Sequence, residues 1–171
     1  MPTPGDFCVV ATNGIMARLI RLVTRSTVNH AFILVAPGRI IEADPSGAKE
    51  TDLANYDGMP QTWSDMDLSP TVRAAIIDAA HRFTCVKKVD GICVGAPYSW
   101  VDDACIGLTH LFGWHVPAAV RRRLANPKRL ECAQLVDVAY LEAGVHLFSD
   151  GRIPGDVAPS DLLLLIEGAK V

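Results

Sequence analysis

The chain has 171 residues, 50% of them hydrophobic and 20% charged, enough for one compact domain over residues 1–171 with a substantial core. A formal net charge of −3 provides no broad basic field for nucleic acid, and no apolar run is long enough to cross a bilayer. The stretch Met1–Asp6 lacks the basic start and apolar core of a signal peptide, so a cytoplasmic location is expected.

Pro4-Gly5-Asp6 reads as a turn, and Phe7–Ala11 as a first strand, closed by Asn13-Gly14. From Ile15 to Arg25 the residues Ile15, Met16, Leu19, Ile20 and Val23 share one helical face, with Arg18, Arg21 and Arg25 elsewhere. Such a helix can make peripheral contact with an anionic surface, although a solvated basic face is the commoner outcome.

Asn29–Val35 and Arg39–Ala43 are two β-rich runs around Ala36-Pro37-Gly38, which predicts a hairpin. His30 opens its first strand and Glu42 lies near the end of its second. A carboxylate across a hairpin can hold an imidazole and fix its tautomer, but only if both side chains share a face. A two-residue Pro37-Gly38 loop pairing Ala36 with Arg39 puts them on opposite faces, because side chains alternate along a strand. An odd loop or a one-residue bulge brings both to one face, diagonally apart. Participation of Glu42 therefore requires one of those two irregularities.

Residues 44–70 read as loop, with a short strand around Thr62-Trp63. Ser69-Pro70 then provides a cap and a first-turn proline for an amphipathic helix carrying Val72, Ala75, Ile76, Ala79, Ala80 and Phe83. Tyr98 and Trp100, beside Gly95-Ala96-Pro97, can wall a substrate cleft or equally pin a loop to the core. An apolar helical stretch follows over Val101–Phe112. Cys105, His110 and His115 are too far apart for one helical face and have no clear fourth partner, so no metal site and no cofactor are expected. Five cysteines, with no C-x-x-C pair, make a disulfide framework unexpected. Arg121-Arg122-Arg123 and Lys128-Arg129 form a basic cluster before Cys132.

Beyond the turn marked by Asn126-Pro127, Leu135, Val136, Ala139, Tyr140 and Ala143 recur at helical spacing. Gly144 is suited to ending that helix in the left-handed conformation. Cys132 falls in the first turn, where unpaired backbone N–H groups and the positive end of the helix dipole favour thiolate over thiol. A cysteine packed inertly under a helix start has the same pattern, so the histidine–glutamate hairpin carries the functional weight. The final run, Leu162–Ile166, fits a strand or a short helix. The order of elements indicates an α+β domain.

Several of these fragments occur together in one family. Pro4-Gly5-Asp6, Asn29-His30, Ile41-Glu42-Ala43, Ala96-Pro97-Tyr98, Glu131-Cys132-Ala133-Gln134-Leu135-Val136 and Ala158-Pro159-Ser160-Asp161-Leu162 follow one another over nearly the whole chain. In that order they resemble the circularly permuted, papain-like branch of the NlpC-type cysteine hydrolases, the YiiX-like group, whose wider relatives include the lecithin:retinol acyltransferase family. The resemblance implies a permuted papain-like fold, an antiparallel sheet packed against helices with the nucleophile at a helix N-terminus. It also implies Cys132 as nucleophile, His30 as base and Glu42 as the polar third member. Two positions depart from the pattern: Ala133 where serine often follows the cysteine, and Asn29 where serine is frequent. The implied chemistry is amide hydrolysis through an acyl-enzyme, on a peptidoglycan-type peptide or another amide. The alternatives are thioester or acyl-transfer chemistry on a lipid-like substrate and a catalytically silent binding module.

Overall fold

The computed structural model describes residues 1–14, 17–18, 21–22, 25–89, 92–96 and 131–168. Among these, five strands form one antiparallel sheet: β1 (Phe7–Val10), β2 (His30–Ala36), β3 (Arg39–Asp44), β4 (Gly47–Asp52) and β5 (Gln61–Trp63). Their spatial order is β4-β3-β2-β1-β5. Helix α1 (Pro70–Thr84) precedes a separate hairpin of β6 (Lys87–Val89) and β7 (Ile92–Val94), and α2 (Cys132–Glu142) and α3 (Pro159–Ile166) complete the described elements. The architecture is α+β. Ala17, Arg18, Arg21 and Leu22 are helical, within the stretch where the sequence pattern predicts a helix.

The sheet is covered on both faces, which explains why β1 and β2 read as continuous apolar runs rather than alternating ones. On one face Phe7, Val9, Ala31, Ile33, Val35, Ile41 and Ala43 pack with Ile76, Ala79 and Ala80 of α1, most of the α2 core residues, and Leu162 of α3. On the other, Cys8, Val10, Phe32, Leu34 and Ile40 pack with Tyr56, Leu53, Met59 and Trp63. Tyr56 belongs to a 3-10 turn, Leu53–Tyr56, that folds over this second face.

Two helix boundaries follow the expected chemistry. The Ser69 hydroxyl accepts the Val72 N–H at 3.3 Å, and Pro70 occupies the first turn of α1. Gly144 takes φ +81° after α2, and the Val145 N–H bonds the Tyr140 carbonyl at 2.9 Å. The last apolar run resolves as α3: Pro159 starts it, and the Asp161 carboxylate accepts the Ala158 N–H at 2.8 Å.

Two expectations are corrected and one element is added. Residues 44–70 are not all loop, because Gly47–Asp52 forms β4, paired along its whole length with β3. Gly, Lys, Glu and Asp are poor strand formers, so the strand is made by its neighbour rather than by local preference. The β6–β7 hairpin has no counterpart in the sequence reading. Cys85, at the end of α1, is disulfide-bonded, although cysteine number and spacing made a disulfide framework unexpected; an odd count does not prevent a pair from forming while Cys8 and Cys132 stay free.

The Pro4-Gly5-Asp6 fragment has a structural job. Arg73 of α1 donates to the Asp6 carboxylate at 2.7 Å and to the Met66 carbonyl at 2.8 Å. Asp6 also accepts the Thr3 N–H at 2.7 Å. Gly5 has φ +95°, and a Cβ there would sit 3.0 Å from Arg73 Cβ, so this turn needs glycine. The Tyr140 hydroxyl donates to the Gly5 carbonyl at 2.6 Å, tying α2 to the same turn.

Candidate active site

His30 is the first residue of β2, and the strand start is held from the preceding residue. The Asn29 N–H bonds the Val10 carbonyl at 3.1 Å. Its side-chain amide donates to Thr12 Oγ1 at 2.7 Å, while its carbonyl oxygen accepts the Thr12 N–H and Arg21 Nη1, both at 2.9 Å. The chain therefore enters β2 at a fixed point and angle.

The hairpin contains the irregularity that a His30–Glu42 contact requires. Ala36 pairs with Arg39, but Leu34 pairs with Ile40, Ile33 with Ile41 and Phe32 with Glu42, leaving Val35 as a one-residue bulge. In the unbulged register Ile33 would face Glu42, turning the carboxylate into the apolar layer beneath the helices. With the bulge, Glu42 projects on the Phe32 side, the side that His30 also faces, two residues along β2. His30 Nε2 lies 2.8 Å from Glu42 Oε2, with the side chains only 12% and 5% exposed.

Among the described residues Glu42 has two further partners. Thr51 Oγ1, from β4, donates to Oε1 at 2.8 Å, and the Tyr56 hydroxyl donates to Oε2. The Tyr56 ring also stacks on His30 at 5.8 Å with 23° between planes, and Phe32 packs against Tyr56 at 4.8 Å. Burial alone would raise the Glu42 pKa, but hydrogen bonds from His30, Tyr56 and Thr51 and the His30 charge outweigh it and hold the carboxyl below its ordinary 4.5.

Cys132 occupies the first position of α2, after Glu131 as N-cap. Gln134, in the first turn, reaches back to the cap residue: its Oε1 accepts the Glu131 N–H at 3.3 Å. This leaves the N–H groups of Cys132 and Ala133 in the first turn, where an α-helix supplies no carbonyl partner. The Cys132 side chain is close enough to His30 for hydrogen bonding to contribute to the ring's proton affinity. Since Nε2 is committed to Glu42, the nitrogen available to the sulfur is Nδ1.

Burial disfavours the imidazolium, but the hydrogen bond and negative charge of Cys132, followed by those of Glu42, dominate and push His30 up from 6.5 to about 10. Cys8 is a contrasting thiol. Burial pushes it up to about 12, only partly offset by a backbone hydrogen bond at Thr62, so it is suited to packing rather than nucleophilic attack.

His30, Glu42 and Cys132 are thus brought together from the hairpin and the helix mouth. Tyr98 and Trp100, the basic residues 121–129, and Cys105, His110 and His115 lie outside the described residues. Tyr56 and Thr51 are site residues that sequence reasoning missed. Both lie in the stretch read as loop, and neither residue type signals a carboxylate partner without the tertiary pairing.

The fold is similar to that of a crystal structure of metalloprotein YiiX from Escherichia coli O157:H7, with TM-score 0.55 and 19% sequence identity over 91% of this chain and 78% of that one. No protein-family model matches the sequence, and no curated protein does. Among the described residues, no three His, Cys, Asp or Glu side chains are grouped so as to hold a metal ion. The described donor set does not fit a metal centre. Among the same residues no helix is long and apolar enough to cross a membrane.

Proposed function

We propose that this chain is a cysteine hydrolase of the permuted papain-like type, cleaving an amide bond in a peptidoglycan-type peptide or another amide. One observation carries the reading: a cysteine in the first turn of a buried helix lies beside a histidine whose other ring nitrogen is held by a buried carboxylate. In the reaction, His30 takes the Cys132 proton and the sulfur adds to the substrate carbonyl carbon, while Glu42 orients and stabilises the imidazolium. The tetrahedral oxyanion is met by N–H groups of the first turn of α2. His30 then gives its proton to the leaving nitrogen, the C–N bond breaks, and an amine departs from a thioester-linked acyl-enzyme. Water enters, His30 takes one of its protons, the hydroxide adds to the acyl carbon, and the C–S bond breaks. The imidazolium returns its proton to the sulfur and the carboxylic acid product leaves.

A second reading keeps this acyl-enzyme but uses esters, thioesters or acyl transfer on a lipid-like substrate. Leu22, 73% exposed on the helical segment that carries the exposed Arg18, favours it as an apolar contact beside a basic group. Incubation with peptide amides and with acyl esters separates the two, since each predicts faster Cys132-dependent turnover of its own substrate. A pH series of iodoacetamide labelling tests both. Absence of Cys132 labelling below about pH 8 would favour a silent binding module, because an unperturbed thiol has a pKa near 8.5.

A further inference from the structure

The aromatic residue under the histidine has a second role that the triad alone does not describe. Tyr56 touches both members of the His30–Glu42 pair: its hydroxyl donates to the same Glu42 oxygen that holds His30, and its ring stacks on the imidazole. Phe32 fixes that ring from the sheet side at 4.8 Å, and Trp63 closes on Phe32 edge-on at 5.7 Å. Thr51 holds the other carboxylate oxygen from β4. With two oxygens and three donors, Glu42 has its rotation about the side chain fully determined.

We propose that Tyr56 is a positioning residue for the candidate catalytic centre, its hydroxyl keeping Glu42 ionised and aimed at His30 Nε2 while its ring holds the imidazole plane. The inference rests on the cysteine-hydrolase reading. The hydroxyl acts on acid–base behaviour and the ring acts on packing, so the two contributions separate experimentally. Tyr56→Phe removes only the first.

Among the described residues, the other charged and titratable groups around Glu42 do not substitute for that donor. Lys49 stands opposite Glu42 in the β3–β4 register, but its ammonium is engaged by Asp44 at 2.6 Å. His30 from β2 and Cys132 from α2 are the reacting pair themselves, and Thr51 is confined to the other oxygen. Loss of the Tyr56 hydroxyl therefore leaves the shared oxygen with one donor fewer and makes Glu42 easier to protonate. Because Glu42 is held below its ordinary 4.5, its support for the His30 charge is lost as pH falls through its native value, and the variant loses that support at a higher pH.

The test measures the rate of iodoacetamide alkylation of Cys132 against pH, quantified on the Cys132 peptide by mass spectrometry so that other thiols do not contribute. It compares the wild-type chain with Tyr56→Phe, Thr51→Val and His30→Ala, with thermal melting to confirm that each is folded. The expected result for Tyr56→Phe is an acid limb moved up by about one pH unit, the scale of one hydrogen bond to a charged group. Thr51→Val is expected to move the limb in the same direction by a smaller amount. A Tyr56→Phe profile superimposable on wild type, with His30→Ala clearly altered, overturns the role of Tyr56 and leaves the hydrolase reading standing. An unaltered His30→Ala profile overturns the hydrolase reading and the role of Tyr56 with it.

Discussion

Glu42→Gln is the most direct test of the charge that the hairpin brings to His30. The substitution keeps side-chain shape and one acceptor for Nε2 but removes the negative charge. A unit charge about 4 Å from an imidazolium is worth roughly 4 kcal/mol at an effective dielectric constant near 20. Part of that is offset by desolvating a carboxylate that is only 4% exposed. A hydrogen bond to a charged group contributes about 1.5–3 kcal/mol net, against about 1 kcal/mol for a neutral one, so the loss is about 0.5–2 kcal/mol. In rate terms this is roughly a 2- to 30-fold fall in the imidazolium-supported reaction. The new amide nitrogen must also face Tyr56 or Thr51, whose hydroxyls can rotate to accept. The assay is kcat/KM on a peptide amide together with the Cys132 alkylation rate, both across pH. Wild type keeps the Glu42 contribution from 4.5 up to the native His30 value of about 10, and loses it on the acid side as pH falls through the depressed carboxyl value, whereas the variant has none to lose. Activity of Glu42→Gln within twofold of wild type at every pH, with Cys132→Ala inactive, would refute the assigned role of the carboxylate.

Other perturbations test separate links. In Cys132→Ala, the largest contribution raising His30 disappears while burial remains, so the ring should titrate well below the native value of about 10, as read from imidazole nitrogen shifts against pH. An unchanged titration would show that sulfur and ring do not interact. Asp6→Ala leaves Arg73, only 17% exposed, without its carboxylate, and should cost about 3 kcal/mol in urea unfolding. That corresponds to a melting point lower by roughly 6–12 °C for a chain of this size; a change within about 0.5 kcal/mol would reduce the pair to a surface contact. Gly95→Ala is sterically incompatible with the edge of β4, since its Cβ would lie 1.8 Å from the Ala48 carbonyl oxygen. It should destabilise by at least about 2 kcal/mol, and a wild-type melting temperature would contradict the backbone packing of Gly95 on Ala48.

Legibility varied with the kind of signal. The strands β1, β2 and β3 and helices α1 and α2 were visible because apolar spacing, Ser-Pro capping and a terminal glycine are local properties of a few consecutive residues. β4 was not, since Gly47-Ala48-Lys49-Glu50-Thr51-Asp52 has little strand preference and owes its conformation to the hydrogen bonds of β3. With β4 hidden, Thr51 had no reason to be placed near Glu42. Tyr56 was equally obscure, because its hydroxyl meets Glu42 across a chain reversal whose course depends on the sheet face beneath it.

Local residue pattern places a cysteine in the first turn of an amphipathic helix and a histidine and a glutamate on two consecutive strands. It also states the condition under which those two meet: a bulge or an odd loop. That the bulge falls at Val35, that Glu42 turns to the Phe32 side, and that α2 brings Cys132 to the end of β2 are set by long-range packing. The physical reason is that facing is a property of a strand pair rather than of one strand. One inserted residue reverses it, and the choice is settled by burying Ile33 with Ile41 beneath the helices while the carboxylate finds three donors on the opposite face.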